Sequence, residues 1–237
     1  METILKIAGG LLGLVVPYLF FIALNTGINK TDVDNQRRIK YRRILVAFVV
    51  LATISVWALS LGRILDYHEG DLVPKFAIPL IVFVLAGVLI LDNKEFGTII
   101  SSTPLSTLVG VQVFRLAGIA FFFIAYLGIL PDAFQSAALG DLLTGTLAIL
   151  AGKSLQNRSD NARLLFWLFN IVGLLDLLNV AFLLMMYYPI WSDTLPSTES
   201  ATKFSLVMIP AIAAPFAMLL HIYSIIAVVR TSKFRDL

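Results

Sequence analysis

The sequence contains no cysteine and only two histidines, and no more than 14% of its 237 residues are charged. The first absence excludes disulfide frameworks, thiolate metal sites, iron–sulfur clusters and cysteine nucleophiles. The second leaves too few imidazoles for a histidine-built metal or haem centre, so no metal and no cofactor is expected. The shortage of charge goes with 59% hydrophobic residues and a mean hydropathy of +0.90, which excludes a soluble globular domain. Any chemistry in this chain rests on carboxylates, arginine, hydroxyls and amides.

What the chain has is long apolar runs. Crossing about 30 Å of hydrocarbon at about 1.5 Å per residue takes roughly 20 apolar residues. Seven stretches qualify: residues 4–24, 44–61, 76–91, 105–130, 133–152, 164–187 and 204–229. The expected fold is therefore an all-α integral membrane protein, a single bundle of seven transmembrane helices over residues 1–237. The third stretch, with 16 residues, is the shortest and reads as a tilted or partly re-entrant element. The longest loops are expected at 25–43 and 188–203. The first span carries Glu2 and Lys6, lacks a small-residue cleavage site and is followed, not preceded, by the main basic cluster, so it reads as a retained helix and not a signal peptide.

Basic residues in short loops stay on the cytoplasmic side. In a seven-span arrangement, thirteen Lys and Arg fall on one side, led by Lys30, Arg37, Arg38, Lys40, Arg42 and Arg43 and ending with Arg230, Lys233 and Arg235. Four fall on the other: Lys6, Arg63, Lys75 and Lys203. This bias predicts the N-terminus outside and the C-terminus in the cytoplasm. It also accounts for the net charge of +3 without a nucleic-acid partner. The expected partners are membrane lipids, with anionic headgroups near residues 37–43, and a small ion or small-molecule substrate. A chain without targeting extensions fits a bacterial inner membrane. Trp57, Tyr126, Tyr187, Tyr188 and Trp191 are expected at the outer interface, and Tyr18, Tyr41, Trp167 and Tyr223 at the inner one.

Charged groups near the bilayer centre cost roughly 2.5 to 3.5 kcal/mol each and persist when paired, turned inward or used. Arg115, Asp141 and Asp176 lie near the middle of spans four to six, and His221 lies somewhat cytoplasmic of the middle of the seventh. Their depths allow one polar layer. Small or polar residues share their helix faces: Ala137, Thr144 and Ala148 with Asp141; Gly173 and Asn179 with Asp176; Pro210, Ala214 and Ala217 with His221; Gln112 and Gly118 with Arg115. Leucines 139, 142, 143, 147 and 150 should face lipid. Ser136 has no evident partner, and His68 sits among Asp66, Glu69 and Asp71 as a surface group.

Two readings of the layer stay open. Arg115 can neutralise one aspartate as a structural pair while amides only link helices. Alternatively, the second carboxylate, in excess of the single arginine, can hold a proton, pair with His221 or meet a cation or water. On that reading Arg115 holds a carboxylate or an anion, Asp176 and His221 exchange a proton, and Thr144, Asn179 and Gln112 supply polar contacts along a substrate or proton path. The topology resembles the rhodopsins, but no lysine lies in the last span for a retinal Schiff base. Membrane zinc hydrolases need more histidines than the one available. The expected function is a proton-linked transporter or ion-conducting protein, not an enzyme. An intramembrane lipid-modifying enzyme and a non-catalytic receptor or accessory subunit are the alternatives, and oligomeric state stays open.

Overall fold

Apolar segments of this length satisfy their backbone polar groups internally, and the helix is the way a single segment does so. A computed structural model describes residues 2–231, and side chains within 7–230. Lys233 and Arg235 of the charge tally lie outside the described residues, as do the side chains of Glu2 and Lys6. The described chain is helical and holds no strand. Its elements are α1 (Glu2–Lys30), α2 (Asn35–Leu61), α3 (Ala77–Leu89), α4 (Lys94–Ser102), α5 (Leu105–Gly110), α6 (Ala120–Tyr126), α7 (Gln135–Gln156), α8 (Ala162–Met186) and α9 (Ala214–Thr231). A 3₁₀ stretch, Val111–Ile119, joins α5 to α6, and a π-helical turn, Ile209–Ala213, leads into α9. Among the described residues six helical segments are long and apolar enough to cross a membrane, a pattern that fits a membrane-embedded helical bundle.

The third apolar stretch differs from the other six. α3 runs on as a 3₁₀ turn to Asp92, and the chain then bends by 100° into α4. Asn93 makes the break: its extended backbone ends one helix while its side chain caps the next by accepting from the N–H groups of Glu95 and Phe96. About sixteen helical residues cover only about 24 Å, which explains why the bent partner follows.

Several boundaries differ from the sequence expectation. Residues 25–43 are not a loop: α1 continues to Lys30 and α2 begins at Asn35, leaving a short turn. Asp34 caps α2 by accepting from Arg37 N at 2.8 Å, and Arg42 ties the helices together by donating to Asn25 (3.0 Å) and Asn29 (2.8 Å). Capping and polar cross-links extend both helices beyond their apolar parts, which hydropathy alone cannot register. The fourth segment stops at Tyr126, because Gly128 takes a positive φ of 65° and Pro131 follows. The last helix begins at Ile209.

Three of the expected interfacial aromatics, Tyr41, Tyr188 and Tyr223, are buried. Tyr188 is buried on Tyr67, with ring centroids 5.4 Å apart. Tyr223 is buried and donates to Gly87 O at 2.8 Å. A hydroxyl with an internal acceptor need not reach the interface.

α7 lies between α8 on one side and the α5–α6 segment on the other, while α9 packs on α3, α4, α5 and α8. On α7, Ala137, Asp141, Thr144 and Ala148 are buried, and leucines 139, 143 and 150 are exposed. Leu147, expected toward lipid, is buried. α1 joins the bundle through Phe20, whose ring lies 4.7 Å from that of Phe216.

The α1–α4 crossing depends on Gly27. A methyl group there would overlap Thr103 Oγ1 and sit 2.6 Å from Ile99 O. Gly27→Ala is expected to destabilise the protein by about 1–3 kcal/mol, as overpacked sites do. Thermal unfolding in mild detergent checks this, with Gly110→Ala as control, since nothing lies within 4 Å of a methyl there.

Candidate functional site

The polar residues of the inner helices meet because three successive helix pairs approach through glycine. A methyl on Gly118 would overlap Asp141 of α7, one on Gly140 would overlap Asp176 of α8, and one on Gly173 would overlap His221 of α9. Each helix thus offers a bare backbone patch to the ionisable side chain of the next. The winding of the fourth segment assists. At three residues per turn, residues spaced by three eclipse each other, so the 3₁₀ stretch brings Gln112, Arg115 and Gly118 onto one face. In an α-helix that row would drift around the axis.

Arg115 is the centre of the site. Its Nε donates to Asp141 Oδ1 and its Nη2 donates to Asp176 Oδ2, so one guanidinium holds two carboxylates from two helices. The arginine and both aspartates are buried. Two carboxylates against one guanidinium leave one formal negative charge, which in an apolar interior calls for a proton, a cation or a hydrated contact.

His221 is placed one turn away and makes no ion pair with either aspartate. Its Nδ1 lies 3.0 Å from Asn170 Oδ1. The Asn170 Nδ2 donates to Phe166 O at 2.9 Å, which turns Oδ1 toward His221 and also toward Ser224, whose hydroxyl donates to it at 2.9 Å. His221 therefore donates from Nδ1, and in the neutral ring the lone pair falls on Nε2, the atom facing Gly173. The ring stacks 4.6 Å from Phe169. Thr144 borders the same glycine, with its methyl 3.0 Å from the position of an added Cβ.

The remaining expected residues divide. Gln112 and Thr144 are fully buried beside the charged group. Asn179 is not part of it: half-buried on the opposite turn of α8, it donates to Ser136 Oγ at 3.1 Å, which supplies the partner that Ser136 lacks in the sequence reading. Asn170 and Ser224 belong to the site and were missed. Their signal was their spacing of three from Gly173 and His221, which puts them on the same helix faces.

Eight of the described residues carry buried polar atoms without a hydrogen-bond partner in the protein, and five of them are here: Gln112 Oε1 and Nε2, Arg115 Nη1, Thr144 Oγ1, Asp176 Oδ1 and His221 Nε2. Buried polar groups are normally paired, and each exception costs about 1–3 kcal/mol. Helix spacing orders the polar residues of the site into a ladder one turn per rung: the aspartates with Arg115, then Thr144 and His221, then Gln112, Asn170 and Ser224. The ladder runs toward the end of the bundle that carries the α7–α8 turn.

A cavity of about 60 Å³ reaches the site from the α9 side, lined by Arg115, Asp141, Gly118, Leu177, Ala213 and Ala217 among others. It admits water or a small ion and is far below the roughly 300 Å³ at which organic ligand pockets begin. Among the described residues no group of three or more acidic or histidine side chains is arranged to hold a metal ion.

A family model with the description Domain of unknown function (DUF8737) matches residues 94–229. The match runs from α4 into α9 and takes in every residue of the ladder. No curated protein and no solved structure matches the chain.

Gly140→Ala places a methyl on Asp176 Oδ1 and is expected to destabilise by about 1–3 kcal/mol. Arg115→Gln strands two buried carboxylates, with an expected loss of about 3–5 kcal/mol. Melting temperatures in detergent should therefore rank wild type above Gly140→Ala and Gly140→Ala above Arg115→Gln.

Proposed function

We propose that this chain, which belongs to the DUF8737 family through a match over more than half of its length, is a proton-linked transporter or ion-conducting membrane protein. The observation that carries the reading is the Arg115 guanidinium shared by Asp141 and Asp176. The group holds one carboxylate more than its cation neutralises, next to polar atoms that no protein group satisfies. A structural ion pair needs one acid per base. The surplus acid is what a proton-handling site needs.

In this reading the bundle has seven spans, with α3 as the short third one, the N-terminus outside and the C-terminus in the cytoplasm. The membrane is a bacterial inner membrane. Asp141 meets the small cavity, Asp176 binds and releases the proton, and Arg115 holds the two carboxylates in reach of each other. Thr144 and His221 Nε2 form the next acceptors along the ladder, with Asn170 fixing the imidazole tautomer through Nδ1. The cavity size favours protons or small ions over an organic solute.

The same geometry weakens the lipid-enzyme alternative. Two wider clefts, of about 260 Å³ between α2 and α3 and about 330 Å³ between α1 and α2, are lined by none of the ladder residues, so an acyl substrate in either would not meet an aspartate.

The test is proton flux into liposomes carrying purified protein under an imposed membrane potential. Wild type should conduct, and Asp176→Asn, which keeps size and shape, should lose at least about tenfold of the flux while melting close to wild type. A well-folded wild type without flux, or an unchanged rate in Asp176→Asn, would overturn the proposal. Failure of Asp176→Asn to insert or fold would favour the purely structural role.

A further inference from the structure

We propose that the charged centre and its ladder take up the proton alone and exclude metal cations and anions. This rests on the reading of the site as one that handles protons or small ions, and narrows it to a single species.

The entrance is unsuited to a metal cation. Among the residues lining the small cavity, Arg115 and Asp141 are the polar ones, and the rest are apolar side chains and glycine. A hard cation that leaves water needs its shell replaced by about six oxygens, whereas this wall offers one carboxylate. That carboxylate already accepts from Arg115 Nε. At about 60 Å³ the cavity has room for no more than a few waters beside an ion. A proton needs no such shell, because the carboxylate carries it as a hydroxyl.

The ladder repeats the exclusion. Its unpartnered atoms are of both kinds. Asp176 Oδ1, His221 Nε2 and Gln112 Oε1 accept, Arg115 Nη1 and Gln112 Nε2 donate, and the Thr144 hydroxyl does both. These residues are all more than nine-tenths buried, so their unpaired atoms face one another or the interior and not bulk solvent. A metal ion satisfies acceptors and is repelled by each N–H that faces it, and here one of the donors belongs to a guanidinium bonded to both carboxylates. The unpartnered oxygens of Asp176, Thr144 and Gln112 sit on successive rungs about 5 Å apart, too spread for one coordination sphere of about 2.4 Å radius.

Anions are excluded by charge. Two carboxylates against one guanidinium make the centre net negative, and the apolar surroundings leave that charge poorly screened. What a mixed set of donors and acceptors does accommodate is hydroxyl groups and water, each of which accepts a hydrogen on one side and gives one on the other. A proton is handed along such a set, whereas a spherical ion is held by groups of one polarity.

The experiment uses the full chain, in planar bilayers under voltage clamp and in detergent for infrared spectroscopy. The current should be unchanged when Na+ or K+ is replaced by N-methylglucamine and Cl− by gluconate, and its reversal should follow the pH gradient alone. Thr144→Val, which keeps the shape and removes the hydroxyl, should lower the current about tenfold, the effect of one lost hydrogen-bond partner. Independently of any current, infrared difference spectra on acidification should show a buried carboxyl C=O band that is absent from Asp176→Asn. Its titration midpoint should be the same in sodium, potassium and choline chloride, since a cation bound at the site would compete with the proton. A midpoint that moves with Na+ or K+, or a current carried by either of them or by Cl−, would overturn the proton selectivity and leave an ion-conducting protein. An unchanged current in Thr144→Val, or a folded wild type without the titrating band, would also overturn it. The band with its fixed midpoint but no current would overturn the transport reading and leave proton uptake at the site standing.

Discussion

A charged side chain inside an apolar bundle is held most firmly when its counter-charge comes within bonding distance, and here the helices that supply it approach one another at glycines. Arg115 imposes this condition twice, once toward Asp141 and once toward Asp176. Gly118 and Gly140 meet it, and Gly173 extends the same device to His221. The central position of α7 follows. It carries one acid of the pair and the glycine that receives the other, so it must be flanked by the arginine segment and by α8 at once.

The condition also explains the local departures from α geometry. The guanidinium must point at α7 while Gly118 turns its backbone to the same helix, and Gln112 shares that face. A row with spacing three is straight only in a 3₁₀ helix, and the 3₁₀ stretch spans the residues that need it. Across the site the last helix opens with a π turn containing Pro210. Proline supplies no N–H, which loosens the hydrogen-bond ladder beside the small cavity. Both irregular windings flank the charged centre, and the central helix α7 is regular through the same depth.

Much of this was legible in the sequence. A charge in a long apolar run is conspicuous, so Arg115, Asp141, Asp176 and His221 stood out without any structure. Small residues at helical spacing marked the faces on which they meet. Three things were not legible. Asn170 and Ser224 are ordinary polar residues until the register of α8 on α9 shows that His221 bonds to them rather than to an acid. Asn179 shares a face with Asp176, but it lies on the far turn and is claimed by Ser136. The ends of α1 and α2 are polar, so hydropathy assigns them to a loop, whereas the Asp34 cap and the Arg42 bridges make them helix. In each case the deciding information is a contact between segments distant along the chain or a cap, and a window of hydropathy contains neither.

The two sides of the charged centre are unlike, and this limits any path through it. Toward the α7–α8 turn the polar ladder continues for two further turns through Thr144, His221, Gln112, Asn170 and Ser224. In the other direction the packing is apolar: Phe121 and Phe134, with ring centroids 5.9 Å apart, close over the centre together with Leu184 and Ile209. A proton or ion that has reached Asp176 by the ladder meets hydrocarbon beyond it. Passage in the proposed mode therefore requires that plug to move. Ile209 and Pro210 of the π turn both line that plug and belong to the stretch where regular α-helical bonding is interrupted. The charged centre held by Arg115 and the irregular turn that carries Pro210 thus lie on either side of the same apolar plug.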